Sequence, residues 1–281
     1  MKPQGMDAEY KRKEIKSKKK KKTEKFLFFL EFIFLSGMLS VILILLALSP
    51  LFEVKSIAVN GSERYSEEDI IIASGLRTGI NGFKAIGSSL DDILSFRYGA
   101  AEDAVKKDHP YIKDIVVKYV LPDKIEMSIQ ERVPFAVVPF YGTYLLVDNE
   151  ACVLETFNGE NTKSLPLIKG LKFEGYKLGQ ALEFEVEENF LLAVDLINEL
   201  SKSDEKSEFK LLPQVDYFDV KDAENICLFY DSRIIVNLGD LRELGYRIDF
   251  MKEILQKNIR KDEKGRLDFT LSKNPSFIPN N

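Results

Sequence analysis

The sequence predicts an α+β protein: one transmembrane helix, a strand-helix-helix-strand-strand module, and a β-rich domain with two helices. Three observations carry this. The run from Phe26 to Ser49 contains a single charged residue, Glu31. Residues 115–119 and 125–129 alternate apolar and polar, the pattern of strands with one face in water. Two later segments, "LEFEVEENFLLAVDLINELSK" and "LRELGYRIDFMKEILQKNI", place apolar residues at helical spacing among strand-like runs.

The net charge of −5 is unevenly placed. Residues 1–25 hold eleven Lys/Arg against four Asp/Glu, whereas residues 51–281 hold 29 Lys/Arg against 40 Asp/Glu. The chain therefore reads as a basic tail (1–25), an apolar segment (26–50) and an acidic body. Twenty-four helical residues span roughly 36 Å, enough for a hydrocarbon core of about 30 Å. A cleaved signal peptide has an apolar run of about 7–15 residues and a small-residue cleavage site; this run is longer, and "LALSPLFEV" is a poor cleavage site. The expectation is an uncleaved, single-pass type II span. Basic residues before it, against only Lys55 in the dozen after it, put the N-terminus in the cytoplasm and the body outside. "SKKKKKTEK" fits anionic lipid at the membrane surface, and nothing in it requires nucleic acid. Glu31 either snorkels to the headgroups or meets a partner helix.

Past the membrane, Val54–Val59 reads as a strand, Asn60-Gly61 as a turn, and Ser66 as the N-cap of a short helix that Gly75 ends. A glycine loop follows. A second helix covers Leu90 to Lys107, with an interruption near Tyr98-Gly99, and "KDHPYI" stops it. The hairpin comes next. Ile115, Val117 and Tyr119, then Ile125, Met127 and Ile129, form one face; Lys118, Glu126, Ser128 and Gln130 form the other, with Pro122-Asp123 at the turn. The module occupies residues 51–132.

The second domain, 133–272, begins with strands and a hairpin around Asp148-Asn149, and "LPLIKGLKF" is a short extended piece. The first helix carries Phe190, Leu191, Val194, Ile197 and Leu200 on its apolar face. Three strands follow, "FKLLPQVDYFDV", "NICLFYDS" and "RIIVNLGD", and then the second helix, with Leu244, Ile248, Met251 and Leu255 on one side. "GRLDFTLSKNPSFIPNN" supplies a last strand, with Pro275 and Pro279 after it, and 273–281 is a short tail. Cys152 and Cys227 lie in apolar strand contexts; buried free thiols fit them, and an extracytoplasmic compartment also permits a disulfide.

Chemistry-bearing patterns are absent. His109, the one histidine, sits at a helix-to-strand corner and suits a surface or capping role. "TGINGFKAIG" lacks the Lys-Ser/Thr of a phosphate loop, and no nucleophile elbow or zinc motif occurs. No catalytic, cofactor or metal residue is expected, and the chain does not read as an enzyme.

Several stretches in order resemble the bacterial cell-division FtsQ/DivIB family. "FEVKSIAVNGSERYSEEDI" resembles the opening of its POTRA module. "HPYIKDIVVKYVLPDKIEMSIQERVPFAV" resembles its most recognisable segment, at Pro110, Val117, Lys118, Pro122, Ile125, Ile129, Glu131, Arg132 and Pro134. "YLLVDNEACVLE", "LPLIKG", "IIVNLGD" and "GRLDFTLSKNPSFIP" match later landmarks. Two departures stand out. Ala151 replaces the usual glycine, so Asn149 is expected to take the awkward dihedral, and Ser88–Ala104 reads as an insertion of unassigned role. There is also no long C-terminal tail of the kind some relatives carry.

The resemblance implies a divisome scaffold at the septum of the inner (cytoplasmic) membrane. Its implied partners are FtsL-type and FtsB/DivIC-type bitopic proteins, and through them the septal peptidoglycan synthase complex. For partner binding, the strand Leu267, Asp268, Phe269, Thr270 and Leu271 is expected at a sheet edge, where unpaired N–H and C=O groups accept a partner strand. Tyr246, Arg247 and Phe250 would frame it, as aromatic and Arg anchors do. The alternatives are a POTRA-bearing assembly or secretion protein, which needs a C-terminal barrel of eight or more strands, and a membrane-anchored wall enzyme.

Overall fold

The computed structural model describes residues 5–87, 89–159, 165–271 and 274–280, with side chains from Lys25 onward. The lysine tract up to residue 24 and Ser88 thus lie outside the described side chains. The first helix, α1 (Gly5–Ala47), contains a 23-residue stretch, Lys25–Ala47, long and apolar enough to cross a membrane. It is apolar all round, and none of it is buried within the protein, the state of a helix whose proper solvent is hydrocarbon. Glu31 is exposed on it.

The next elements are β1 (Ser56–Asn60), α2 (Glu67–Ser74), α3 (Leu90–Ser95), α4 (Gly99–Asp108), β2 (Ile112–Val120) and β3 (Lys124–Glu131), with the strands in the order β1-β3-β2. The Cα framework divides into two compact units, one of residues 1–58, 76–99 and 117–127, the other of residues 59–75, 100–116 and 128–281.

In the first unit the end of α1 is tied down. Asn81 Nδ2 donates to the Ala47 carbonyl at 2.8 Å, satisfying an acceptor that the helix C-terminus leaves open. The Phe83 ring packs edge-on against Phe52, Phe96 and Tyr119. Tyr98, wholly buried, donates its hydroxyl to the Gly82 carbonyl at 2.6 Å. The expected single helix from Leu90 to Lys107 is two. Phe96 adopts a left-handed φ of 53° and caps α3, so the chain turns before α4 starts at Gly99. The interruption expected near Tyr98-Gly99 is this break, residues 96–98. The first strand starts at Ser56 rather than Val54, whose N–H is taken by the Ile80 carbonyl.

In the second unit Ser66 caps α2, its Oγ accepting the Asp69 N–H at 3.1 Å, and Gly75 (φ 68°) ends it. Gly61 (φ 84°) is required: a Cβ there would lie 2.2 Å from the Ile129 carbonyl oxygen. His109 is buried rather than on the surface. Its Nδ1 faces the Val105 carbonyl at 2.9 Å, a capping contact at the end of α4, and its ring meets Tyr65 edge-on.

The β-rich part opens with an antiparallel meander, β4 (Ala136–Phe140), β5 (Thr143–Val147) and β6 (Val153–Phe157). Tyr141-Gly142 turns the first hairpin, both at positive φ. In the second, around Asp148, Ala151 itself takes the left-handed conformation (φ 60°), not Asn149. That conformation costs an L-residue roughly 1–2 kcal/mol. Asp148 Oδ1 holds the turn against this cost by accepting the Glu150 and Cys152 N–H groups at 2.9 and 2.8 Å.

The remaining elements are β7 (Ile168–Lys169), α5 (Glu187–Glu205), β8 (Val215–Asp219), β9 (Ile226–Tyr230), β10 (Ile234–Gly239), α6 (Leu244–Lys257), β11 (Gly265–Asp268) and β12 (Ser276–Pro279). The strands form a six-stranded open sheet, β12-β11-β10-β9-β8-β7. β8, β9 and β10 pair antiparallel. β7 pairs parallel to β8 through α5, and β11 parallel to β10 through α6, as a helical crossover requires. Both helices bury one side in the core: Phe190, Ala193, Leu196, Ile197 and Leu200 from α5; Ile248, Met251 and Leu255 from α6. Leu191, expected on that face, is 59% exposed. Cys152 and Cys227 are free, the first buried and the second only partly so.

Ion pairs to the buried carboxylates of Asp148 and Asp204 join these elements. Arg132 Nη1 reaches Asp148 Oδ2 at 2.5 Å and Glu150 Oε2 at 2.9 Å, while its N–H donates to the Tyr111 carbonyl at 2.6 Å. Lys252 Nζ of α6 lies 2.7 Å from Asp204 Oδ1 of α5, which also accepts the Leu211 N–H; Oδ2 accepts that of Leu212. Burial would raise the Asp204 pKa, but the Leu211 amide, the Lys252 ammonium and the Leu212 amide outweigh it and hold the carboxyl below its usual value.

Arg132→Met strands the Asp148 carboxylate and should cost about 3–5 kcal/mol in urea unfolding. Adding Asp148→Asn should recover part of that loss, because Oδ1 can still accept both turn amides. Ionised Asp204 stabilises the fold fully above its unfolded pKa of about 3.9, and that contribution fades as pH falls through the lower folded value. The stability gap between wild type and Asp204→Asn should therefore be flat from about pH 5 to 8 and shrink below about pH 4 in pH-dependent urea melts.

Candidate partner-binding edge

β11 is an interior strand, not an edge. It pairs with β10 on one side and β12 on the other, and the segment expected as a tail supplies that outer strand. Leu267 is fully buried in the domain core. Asp268 is a buried hub: it accepts from Asn237 Nδ2 at 3.2 Å, Arg266 Nε at 2.9 Å, and the Thr270 amide and hydroxyl at 2.8 and 2.6 Å. Burial pushes its pKa up, but the Thr270 hydroxyl and amide, Asn237 and Arg266 prevail and keep it below the usual value. Neither residue offers a partner an accessible side chain.

Phe269 donates its N–H to the Asn237 carbonyl at 3.0 Å and packs half-buried on the core, whereas Thr270 and Leu271 are exposed. Arg247 Nη1 donates to the Leu238 carbonyl and, at 2.6 Å, to the Asp240 carbonyl. It therefore locks the end of β10, where Gly239 adopts φ 72°. Phe269, Thr270 and Arg247 come together in one shallow cleft of about 390 Å³, with Glu224, Gly239, Asp240 and Arg242. Tyr246 is 67% exposed and stacks on Phe250 at 5.9 Å, an aromatic pair outside that cleft.

The edge is β12. Its register pairs Gly265 with Pro279, Arg266 with Ile278, Leu267 with Phe277 and Asp268 with Ser276. The Asn280 N–H donates to the Lys264 carbonyl, and the Gly265 and Phe269 N–H groups point the other way, to β10. Alternation along the strand then turns Ser276 and Ile278 toward β11 and leaves Phe277 and Pro279 facing outward. Pro279 has no N–H, and Pro275 precedes the strand in the same phase. Between the two prolines the outer edge thus offers one donor, the Phe277 N–H, together with carbonyl acceptors. Proline in this position is tolerated because its missing donor points away from the ladder. Gly265 makes the close pairing feasible, since a Cβ there would lie 2.3 Å from the Ile278 carbonyl oxygen. Among the described residues nothing pairs with the outer side of β12. The prolines therefore do not simply follow the last strand, as read from sequence; they bracket the true edge. Their spacing of four, with Phe277 midway, was the available signal.

Residues 52–132 match the family model described as "POTRA domain, FtsQ-type". The chain is 25% identical over 266 residues to "Cell division protein DivIB" of Clostridium botulinum (strain Hall), covering 94% of each chain. It is 26% identical over 245 residues to the DivIB of Clostridium tetani, covering 85% of this chain and 83% of that one. Similarity to "Cell division protein FtsQ" of Myxococcus fulvus is 24% over 194 residues, 68% of this chain and 60% of the relative. The similarity to proteins named DivIB thus extends over nearly all of this chain, and residues 52–132 carry a POTRA domain of the FtsQ type.

Proposed function

We propose that this protein is a membrane-anchored scaffold of the division septum that holds FtsL-type and FtsB/DivIC-type bitopic partners and, through them, helps control septal peptidoglycan synthesis. The N-terminus lies in the cytoplasm and the body outside, in accord with the basic tail before the span. The observation that carries the reading is the outer edge of β12. An open sheet ending in a strand with unused carbonyls and one free amide is a template for strand addition, and prolines on either side limit how far pairing runs. A short extended segment of the DivIC-type partner fits there. Thr270 and Leu271, just beyond β11, and the Tyr246–Phe250 pair on α6 supply exposed side chains for specificity.

Phe277→Pro removes the one outward donor. It should weaken capture of the DivIC-type partner by about tenfold or more, the scale of a lost hydrogen bond plus strand distortion, measured by pull-down with the full chain. Because Phe277 also touches the core, Ile278→Lys serves as a second variant; its side chain is exposed. Thr270→Glu tests the flank. Folding is checked by the melting transition, and undiminished capture by folded Phe277→Pro and Ile278→Lys would remove β12 from the interface.

A further inference from the structure

Leu51, Leu90, Ile93, Leu94, Val120 and Leu121, all in the first unit, are apolar and exposed. α3 supplies three of them. On a 100° helical wheel Leu90, Ile93 and Leu94 fall in one sector about 100° wide, while Asp91, Asp92 and Ser95 fall on the other side. Leu90 and Leu94 are 77% and 81% exposed, values that a soluble surface leaves to side chains with nothing to pack against. Asp92 turns inward: its Oδ2 lies where a Cβ on Gly87 would sit, at 2.2 Å, and close to Gly99.

A chain of ring contacts links the cap of α3 to the residues just past the span. Phe96, the cap of α3, meets Phe83, and Phe83 meets both Phe52 and Tyr119. Phe52 is five residues beyond Ala47, the last residue of α1, and Ala47 is itself hydrogen bonded to Asn81. Tyr119 donates to the Phe52 carbonyl at 3.0 Å, and Lys55 pairs with Asp123 at 2.7 Å, so the hairpin tip carrying Val120 and Leu121 is fixed against the same juxtamembrane residues. Lys84 and Lys118 are exposed on this unit, as cations flanking an anionic headgroup layer would be.

We propose that α3 and the Val120-Leu121 tip dip into the outer leaflet beside α1, so that the bilayer itself covers this face and fixes the base of the POTRA domain on the membrane. α3, within the stretch that reads from sequence as an insertion, then works as a second membrane contact. The inference rests on α1 crossing the membrane, and its test separates the two.

The chain has no tryptophan, so single-Trp variants report one site each. Leu94→Trp and Leu43→Trp, in the full chain reconstituted in phosphatidylcholine/phosphatidylglycerol vesicles, are compared with and without phosphatidylcholine brominated on its acyl chains. Both should lose about half or more of their emission to bromolipid, because an interfacial helix sits about 5–10 Å into the headgroup and acyl boundary. Adding Leu90→Glu and Ile93→Glu should restore the Leu94→Trp emission and make it iodide-accessible, while Leu43→Trp in that background stays quenched. Leu94→Trp open to iodide and untouched by bromolipid, with Leu43→Trp quenched, would overturn the proposal and leave the span intact. Shielding of Leu94→Trp from both quenchers would overturn it in favour of a protein cover. Loss of quenching at both sites would overturn the reading of α1.

Discussion

The Arg132 guanidinium organises the body of the protein. Among the described residues it is the cation paired with the buried Asp148 carboxylate, its backbone amide holds the Tyr111 carbonyl, and Asp148 in turn fixes the strained β5–β6 turn through two amides. Glu131, the preceding residue, accepts the Ser62 hydroxyl and the Glu63 and Arg64 amides. Two adjacent charged residues therefore bind the segment after β1, the start of β2 and the β5–β6 hairpin of the β-rich part. Tyr111 adds a hydrogen bond to Glu155 at 3.0 Å; burial first, then that carboxylate, pushes its phenol up to about 12. Arg64 stacks over the same ring at 3.7 Å. A charge taken out of water is tolerated only when its hydrogen bonds are complete, so these geometries support one another.

Topology then sets where an edge can exist. The two helical crossovers lie at opposite ends of the six-stranded sheet, and each adds a parallel strand outside the β8-β9-β10 meander. At the α5 end the added strand is only two residues long, and Val137 of β4 bridges to Leu167 just before it, donating its N–H to the Pro166 carbonyl at 2.8 Å, so a neighbouring strand covers that end. At the α6 end β12 folds back over β11 and becomes the boundary. The Asp268 hub terminates β11, and Arg247 and Gly239 shape the end of β10, so residues that look like binding anchors in sequence do structural work beneath the edge.

Local signals were legible where local physics decides. Ser66 and Gly75 bound α2, the alternation in β2 and β3 sorts its two faces, and the spacing on α6 names its buried side, because caps and periodicity act within a few residues. Phe96 and Ala151 were not legible. Each takes a left-handed φ that its residue type disfavours, and only surrounding hydrogen bonds impose it. Leu191 failed for a related reason: the buried sector of α5 is chosen by what packs on it, and Ala193 and Leu196 took the place that hydrophobicity alone assigns to Leu191.

The amino-acid sequence by itself determined the apolar span, most of the order of the elements and the absence of recognisable catalytic motifs. Each follows from composition, period or residue chemistry over short distances. Only the tertiary structure decided that Leu267–Asp268 lies inside the sheet and Phe277 at its edge, and that Arg247 serves the backbone. Strand order depends on pairings across tens of residues, and one added strand, β12, turns the strand beneath it from an edge into an interior.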